Sequence, residues 1–279
     1  MTSIAAGTAP RVEYTRRSAI IELARLEASS MLRRTSIWLG LALSLLLIVS
    51  GAFADEEWSA QKYQSMIPLG VFPMTIAVFV AGVRAGNRDR WAHGVPLAGE
   101  AALDGDQRTV ARLASLIVPV GIAATLTAGI AIVSRIEGGF WVGDGQSRTE
   151  NAVHSIFELL QPALVVAVVG AGAVGVGRWV VRAGPAIVIG AFLLFATGSV
   201  YWMWNAPYAY AIALMQVQPL GELDVIHTPT AFLHDVYLIG LVVLFAGLAL
   251  RGTTRRRLAA AGGGLAVLAA AAQLAVTPL

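Results

Sequence analysis

The sequence contains no cysteine and only one lysine among its 279 residues. Without cysteine there is no disulfide, no thiolate nucleophile and no cysteine-ligated metal. A phosphate-binding P-loop needs a lysine after a glycine-rich turn, and Lys62 follows no such turn. The motifs HExxH and GxSxG are missing as well, so metalloprotease and serine hydrolase chemistry have no support. We therefore expect a protein that is not an enzyme, has no nucleotide site of its own and binds no metal.

Charged residues are also scarce. They make up 13% of the chain, against about 25% in soluble globular proteins, whereas apolar residues make up 57%. The mean hydropathy is +0.70. This composition predicts an integral membrane protein with no room for a large soluble domain.

Six apolar segments have about the 20 residues that a helix needs to cross a bilayer. They are residues 37–54, 66–83, 113–133, 156–176, 184–204 and 231–250. A further stretch, 258–279, is long enough but rich in Ala and Gly, and is predicted as a seventh span or as a helix lying against the bundle. The predicted fold class is an all-α polytopic membrane helix bundle.

The basic residues follow alternate connections between these segments. Of the 20 Lys and Arg residues, 17 lie in the N-terminal arm, in loop 84–112, between segments four and five, or in 251–257. Because basic residues resist translocation, this pattern predicts a cytoplasmic N-terminus. The same pattern accounts for the sequence pI of about 9.6, so no nucleic-acid-binding function is needed to explain the basic residues. The excess of Arg over Lys and the abundance of Ala and Gly suggest a bacterial origin, hence the plasma membrane.

The N-terminal arm, residues 1–35, precedes a transmembrane domain predicted over residues 36–279. Apolar residues form a broken stripe in the arm, with arginines around it: Ile20, Leu23, Ala24 and Met31. This pattern predicts an amphipathic helix in the cytoplasmic interface. The alternative is a basic anchor that only fixes the topology.

Loop 84–112 is far longer than a helical hairpin needs. Its second half is predicted to form a short helix, because acidic residues come first and basic residues last, which suits the helix dipole. The acidic residues are Glu100, Asp104 and Asp106, and the basic ones are Arg108 and Arg112. Pro96 and Gly105 limit its length. A loop of this size suggests a cytoplasmic partner.

This loop resembles the coupling loop of ABC-2 type permeases, the six-span membrane subunits of ATP-driven exporters. The matching positions are the charged start, the glycine position and the basic run into the third span, at Arg88, Asp89, Arg90, His93, Gly94 and residues 107–113. The sequence departs from the family pattern at Asn87, Val95 and Pro96, where the family has a glutamate, a threonine and a later proline. Residues 232–244, FLHDVYLIGLVVL, resemble the start of span six in bacterial members.

The resemblance implies a set of partners and roles. A separate ATPase subunit would bind ATP and Mg, and this chain would need no cofactor. A second permease subunit, identical or different, would complete the pathway, and residues 205–231 would form an extracytoplasmic excursion. The residues implied to couple to the ATPase are Arg88, Asp89, Arg90, His93, Gly94, Arg108 and Arg112.

Candidates for the substrate pathway are few. Glu158 is a carboxylate about one turn inside the fourth segment, with a helix-end carboxylate facing water as the alternative. Tyr201, Trp202 and Trp204 form either an aromatic belt at the outer interface or a surface for a flat or lipid-like molecule. Small residues over 170–177 predict close helix packing rather than a ligand site. The histidines are placed in loops or near span ends, and no ligand motif joins them.

Two functions are compatible with these features. The first is an exporter permease that moves a hydrophobic or amphipathic compound. The second is a membrane anchor or sensor that transports nothing and recruits a cytoplasmic protein through loop 84–112. Only the first requires ATP hydrolysis by the partner to respond to substrate.

Overall fold

The computed structural model describes residues 16–52, 60–88, 103–136, 156–180, 182, 184–188, 190, 211–215 and 228–276. These residues form helices and no strand. Eight helices of ten or more residues are α1 Arg16–Leu32, α2 Thr35–Ala52, α3 Ala60–Gly86, α4 Gly105–Ala114, α5 Ile117–Ile136, α6 Ile156–Trp179, α7 Thr228–Ala249 and α8 Gly252–Val276. The all-α prediction therefore holds for the described part of the chain.

Four helical stretches are long and apolar enough to cross a membrane, namely Gly105–Val133, Ile156–Trp179, Thr228–Ala249 and Gly252–Val276. The first combines α4 with most of α5. A fifth is added if α1 and α2, which bend by 56° at their junction, count as one span. The apolar part of α3, Gly70–Gly86, is shorter. The chain is thus a membrane protein by length and composition, and six or seven spans stay a prediction.

Helices α2 and α3 run antiparallel. Gly40, early in α2, packs against Ala77, late in α3, and Gly70, earlier in α3, packs against Ile48. Side chains from both helices and from α5 and α6 form one apolar core cluster, which includes Met74 and Val166 among its fully buried members.

Helices α3 and α6 run parallel and approach closely. Gly82 faces Ala173, and Gly86 faces Gly177 four residues further along α6. Small side chains at these positions allow the two backbones to touch, as the small residues in 170–177 predicted. The other face of the same α6 stretch packs against α7, where Gly175 meets Ala249. Small residues therefore serve two interfaces of α6.

Helices α6 and α7 also run parallel. The rings of Phe157 and Phe232 lie 5.2 Å apart in an edge-to-face contact where both helices begin. Where both end, Arg178 Nη1 donates a hydrogen bond of 2.7 Å to the Ala249 carbonyl. Since 21 residues of α6 separate Phe157 from Arg178, these contacts lie about 30 Å apart. The chain that leaves α6 therefore returns across this distance before α7 starts.

Helices α7 and α8 form an antiparallel hairpin. Gly240 packs against Ala266, and Gly247 packs against Ala259. Helix α8 begins at Gly252, whose φ of 69° lies in the left-handed region that glycine adopts without strain. As a result, the start of α8 lies at the same end of the bundle as the ends of α6 and α7.

Candidate functional site

Helix α4, which belongs to the predicted coupling loop, begins with a complete capping box. The Asp104 carboxylate accepts hydrogen bonds from the backbone N–H groups of Asp106 and Gln107, at 2.9 and 2.8 Å. The Gln107 side chain in turn accepts from the Asp104 N–H at 3.0 Å. This arrangement satisfies N–H groups that a helix start leaves without partners. The predicted short helix is confirmed over Gly105–Ala114, and Glu100 lies outside the described residues.

One guanidinium joins α4 to the ends of two long helices. Arg178, at the end of α6, donates from Nη2 to Asp106 Oδ1 and from Nη1 to Thr109 Oγ1, both at 2.6 Å. The same Nη1 donates to the Ala249 carbonyl at the end of α7. The Arg251 N–H, just after α7, donates to the other Asp106 oxygen at 3.2 Å. Because the guanidinium is planar and presents several donors, one side chain can fix three helices together.

An aromatic ring covers the outside of this junction. Trp179 Nε1 donates to the Leu248 carbonyl at 2.8 Å. The guanidinium carbons of Arg178, Arg251 and Arg255 lie 5.9, 5.5 and 5.0 Å from the Trp179 ring centroid. Cations at such distances are attracted to the ring face, which adds to the connection between α6 and the α7–α8 turn.

A buried carboxylate joins α1 to the same end of the bundle. Glu27 is 1% exposed, and its Oε1 lies 3.3 Å from Arg88 Nη1 and 3.6 Å from Arg112 Nε. Arg112, in α4, is itself only 2% exposed. The Arg34 guanidinium, between α1 and α2, donates to the Ala81 carbonyl of α3 at 2.6 Å.

Positive charge exceeds negative charge around Glu27. Burial lowers the pKa of Arg34, and the neighbouring arginines Arg88, Arg84 and Arg112 lower it further, whereas Glu27 acts in the opposite direction. Glu27 is thus the anion that offsets several guanidinium groups. We call this region the arginine-rich end and define it by Arg34, Arg88, Arg112, Arg178 and Arg251.

The structure brings some of the predicted coupling residues together. Arg88 and Arg112 meet at Glu27, and Arg108 is half-buried in α4. Asp89, Arg90, His93 and Gly94 lie outside the described residues. Arg112 was predicted to contact a partner, but its side chain lies inside the protein and is occupied by Glu27.

Of the predicted pathway residues, only Glu158 is described. It lies half-buried in the first turn of α6. Tyr201, Trp202 and Trp204 lie outside the described residues, so the aromatic belt stays a prediction.

A second group of polar residues lies within the apolar helices. His234 is fully buried in α7, and its Nδ1 lies 3.2 Å from Gln273 Oε1 of α8. Asp235 is 5% exposed, and Gln161 of α6 is equally well buried. The sequence placed His234 near the start of a predicted span, and in the structure it is the seventh of the 22 residues of α7.

Gln161 and Asp235 lie at the same level of the α6–α7 interface. Gln161 follows Phe157 by one turn of α6, and Asp235 follows Phe232 by about one turn of α7. Because the two phenylalanine rings are in contact and the helices run parallel, the two polar residues lie at the same level along the helix axes. We call Gln161, His234, Asp235 and Gln273 the polar layer.

Sequence reasoning missed the roles of Glu27, Arg178 and Gln273. A signal was present for Glu27, which stands one turn from both Leu23 and Met31 and so interrupts their apolar stripe. Gln273 is likewise a polar residue within the apolar segment 258–279. Comparison with protein-family models, characterised proteins and solved structures finds no match.

Replacing Arg178 by lysine is expected to loosen α4 while keeping the charge. An ammonium group cannot reach Asp106, Thr109 and the Ala249 carbonyl in the geometry of the guanidinium fork. We expect a loss of about 2 kcal/mol in stability and faster hydrogen exchange of the α4 amides. The control is Arg182→Lys, at an exposed position four residues later. Equal exchange in both variants would contradict the role of Arg178.

Proposed function

We propose that the chain is the membrane-spanning permease subunit of an ATP-binding cassette exporter of the ABC-2 type. It would move a hydrophobic or amphipathic compound, with ATP hydrolysed by a separate ATPase subunit that binds ATP and Mg. The observation that carries this proposal is the junction at Arg178, where a helix of the long charged loop is bonded to the ends of α6 and α7.

This junction offers a physical route for coupling. A force applied to α4 from outside would reach α6 and α7 through Asp106 and Thr109, which share the Arg178 guanidinium. The same displacement would reach α1 through the ion pair of Arg112 with Glu27. An ATPase that grips the loop could therefore shift several helices at once, which alternating access requires.

The proposed topology has six spans and a seventh C-terminal one. The spans would be α2, α3, α5, α6, segment 184–204, α7 and α8. The parallel directions of α6 and α7 support a span between them, because the connecting chain must return over the length of α6. Segment 184–204 has the length and hydropathy for that crossing.

The arginine-rich end would face the cytoplasm of a bacterium, with the N-terminus on that side. Four separate chain segments bring their arginines to it, as the positive-inside rule favours. Helix α1 would lie in the interface there. In support, Ile21, Leu26 and Leu32 are exposed on α1, whereas Leu23 and Met31 pack inward.

A second permease subunit, identical or different, would complete the pathway. The described helices leave large apolar side chains exposed on α2, α5 and α8, among them Leu46, Ile117 and Leu268. Lipid or another subunit would cover them.

The proposal is tested by purifying the protein from its own membrane with any ATPase that accompanies it. The variant Asp89→Ala/Arg90→Ala removes loop charges that match the family pattern, and the control Arg256→Ala/Arg257→Ala removes exposed charges at the start of α8. We expect the ATP hydrolysis that co-elutes with the loop variant to be at least tenfold lower than with the wild type, although the variant stays monodisperse. The control should co-elute with as much ATP hydrolysis as the wild type.

The same experiment separates the two candidate functions. A folded wild-type protein that elutes without any ATPase would contradict the permease proposal and favour a membrane anchor or sensor. An ATPase that co-elutes but never responds to any amphipathic compound would also favour recruitment without transport.

A further inference from the structure

Asp235 is a buried ionisable residue about two turns from the start of an apolar helix. It is the eighth residue of α7, a 22-residue helix of the kind that crosses membranes, and it is 5% exposed. Within the described part of the chain, neither carboxylate oxygen of Asp235 has a hydrogen-bond partner. A charged carboxylate in such a place loses its hydration and gains nothing in return, which costs several kcal/mol.

Among the residues that the structure describes, the groups near Asp235 do not supply a compensating cation. Helix α6 has Gln161 at this level and Glu158 one turn closer to its start, α7 has His234 and Tyr237, and α8 has Gln273. The Tyr237 hydroxyl donates to the Ile212 carbonyl at 3.0 Å, and residues 211–215 that pack there include no titratable side chain. The Nδ1 atom of His234 faces the Gln273 side-chain oxygen at 3.2 Å.

The arginines of the helices packed on α7 lie at the opposite end. Arg178 follows Gln161 by 17 residues of α6, a distance of about 25 Å along the helix. Arg255 lies a similar distance from Gln273 on α8. Among the described residues of α6, α7 and α8, no Lys or Arg therefore lies in the polar layer.

We propose that Asp235 is a proton-binding site inside the membrane domain, which keeps its proton while α6, α7 and α8 stay packed and releases it when water enters between them. On release the carboxyl O–H bond breaks, the proton passes to a water molecule and a carboxylate remains. The inference does not depend on the exporter proposal, because it needs only a membrane helix that buries this carboxyl.

A proton bound only in the packed arrangement stabilises that arrangement by mass action. At a pH where the exposed carboxyl would be ionised, the packed state holds one proton more than the opened or unfolded state. Stability must then fall as pH rises above about 4, the ordinary value for aspartate, until the packed state also loses its proton. The membrane domain would thus loosen in alkaline surroundings.

The test compares the purified full-length protein with Asp235→Asn. The asparagine side chain has the size of a neutral carboxyl group but cannot bind or release a proton in this pH range. We expect the Tm of the wild type to fall by about 5 °C relative to the Asn variant between roughly pH 5 and pH 9. The difference between the two proteins isolates Asp235, since both share Glu158 and every other group. His234→Gln serves as control and should keep the fall.

Infrared spectroscopy of the same samples provides a readout that is independent of stability. At neutral pH the wild type should show the C=O stretch of a protonated carboxylic acid, Asp235→Asn should lack it, and Asp235→Glu should shift it. The Glu variant keeps the test decisive if the Asn variant does not fold. A wild type without this band would overturn the proposal. A second outcome would also overturn the proposal: if Na⁺ at fixed pH stabilises the wild type but not Asp235→Asn, the site binds a metal cation rather than a proton.

Discussion

Gly177→Ala is expected to destabilise the protein by about 3 kcal/mol, although alanine favours helices over glycine by about 1 kcal/mol. A Cβ at this position would fall on the Val83 backbone of α3. Backbone atoms cannot turn aside as a flexible side chain can, so α3 and α6 would have to separate. Separation would also open the contacts of Gly82 with Ala173 and of Gly86 with α6. Thermal unfolding in detergent, followed by size-exclusion chromatography, measures the loss.

Gly175→Ala is the matched control for this prediction. It lies two residues away in the same helix, and its new Cβ would meet the Ala249 Cβ at 3.6 Å, an ordinary contact. Helix propensity changes equally in both variants, so the difference between them reports the α3–α6 contact alone. If the two variants unfold at the same temperature, the helices do not pack through Gly177 as described.

Glu27→Ala is expected to cost about 3–5 kcal/mol, because it leaves Arg112 charged and buried without its anion. Arg34 and Arg88 would then repel Arg112 without an offsetting charge. The measurement is the Tm of the purified protein, together with protease sensitivity of α1. Both should change, since α1 would lose its ion pair with α4 and keep only apolar contacts such as that of Leu23 with Ala111.

Two further variants sharpen this prediction. Glu22→Ala removes an exposed carboxylate from the same helix and should change the stability by less than about 0.5 kcal/mol. Glu27→Leu combined with Arg112→Met replaces the pair by apolar residues of similar size and should recover most of the loss, as buried ion pairs elsewhere do. A double variant as unstable as Glu27→Ala would show that the damage comes from lost packing rather than from an unpaired charge.

The positions of the helices could be predicted from the sequence because hydropathy is a local property. The predicted segment 156–176 corresponds to α6, Ile156–Trp179, and 66–83 lies within α3, Ala60–Gly86. Apolar residues of consecutive turns specify such helices without any knowledge of their neighbours. The predicted helix ends were less accurate. The fourth segment was predicted to stop at residue 176, whereas α6 continues through Arg178 and Trp179, whose side chains end in polar groups.

The pairing of the helices could not be predicted in the same way. Glu27 and Arg112 are 85 positions apart, and nothing in either local pattern specifies the other. The small residues of 170–177 predicted close packing correctly, but not that Gly177 meets α3 while Gly175 meets α7. The predicted segment 231–250 contains His234, but the local pattern did not show that Gln273 of α8 lies opposite it.

The ion pair of Glu27 with Arg112 also has a consequence for biosynthesis. At roughly 5–20 residues per second, Glu27 leaves the ribosome about 4–17 s before Arg112 does. During that interval the Glu27 carboxylate lacks Arg112, the buried one of its two arginine partners, and α1 lacks its contacts with α4. Nascent chains that stop before α4 should therefore present α1 to chaperones and proteases, and its protection should begin only when residue 112 has emerged.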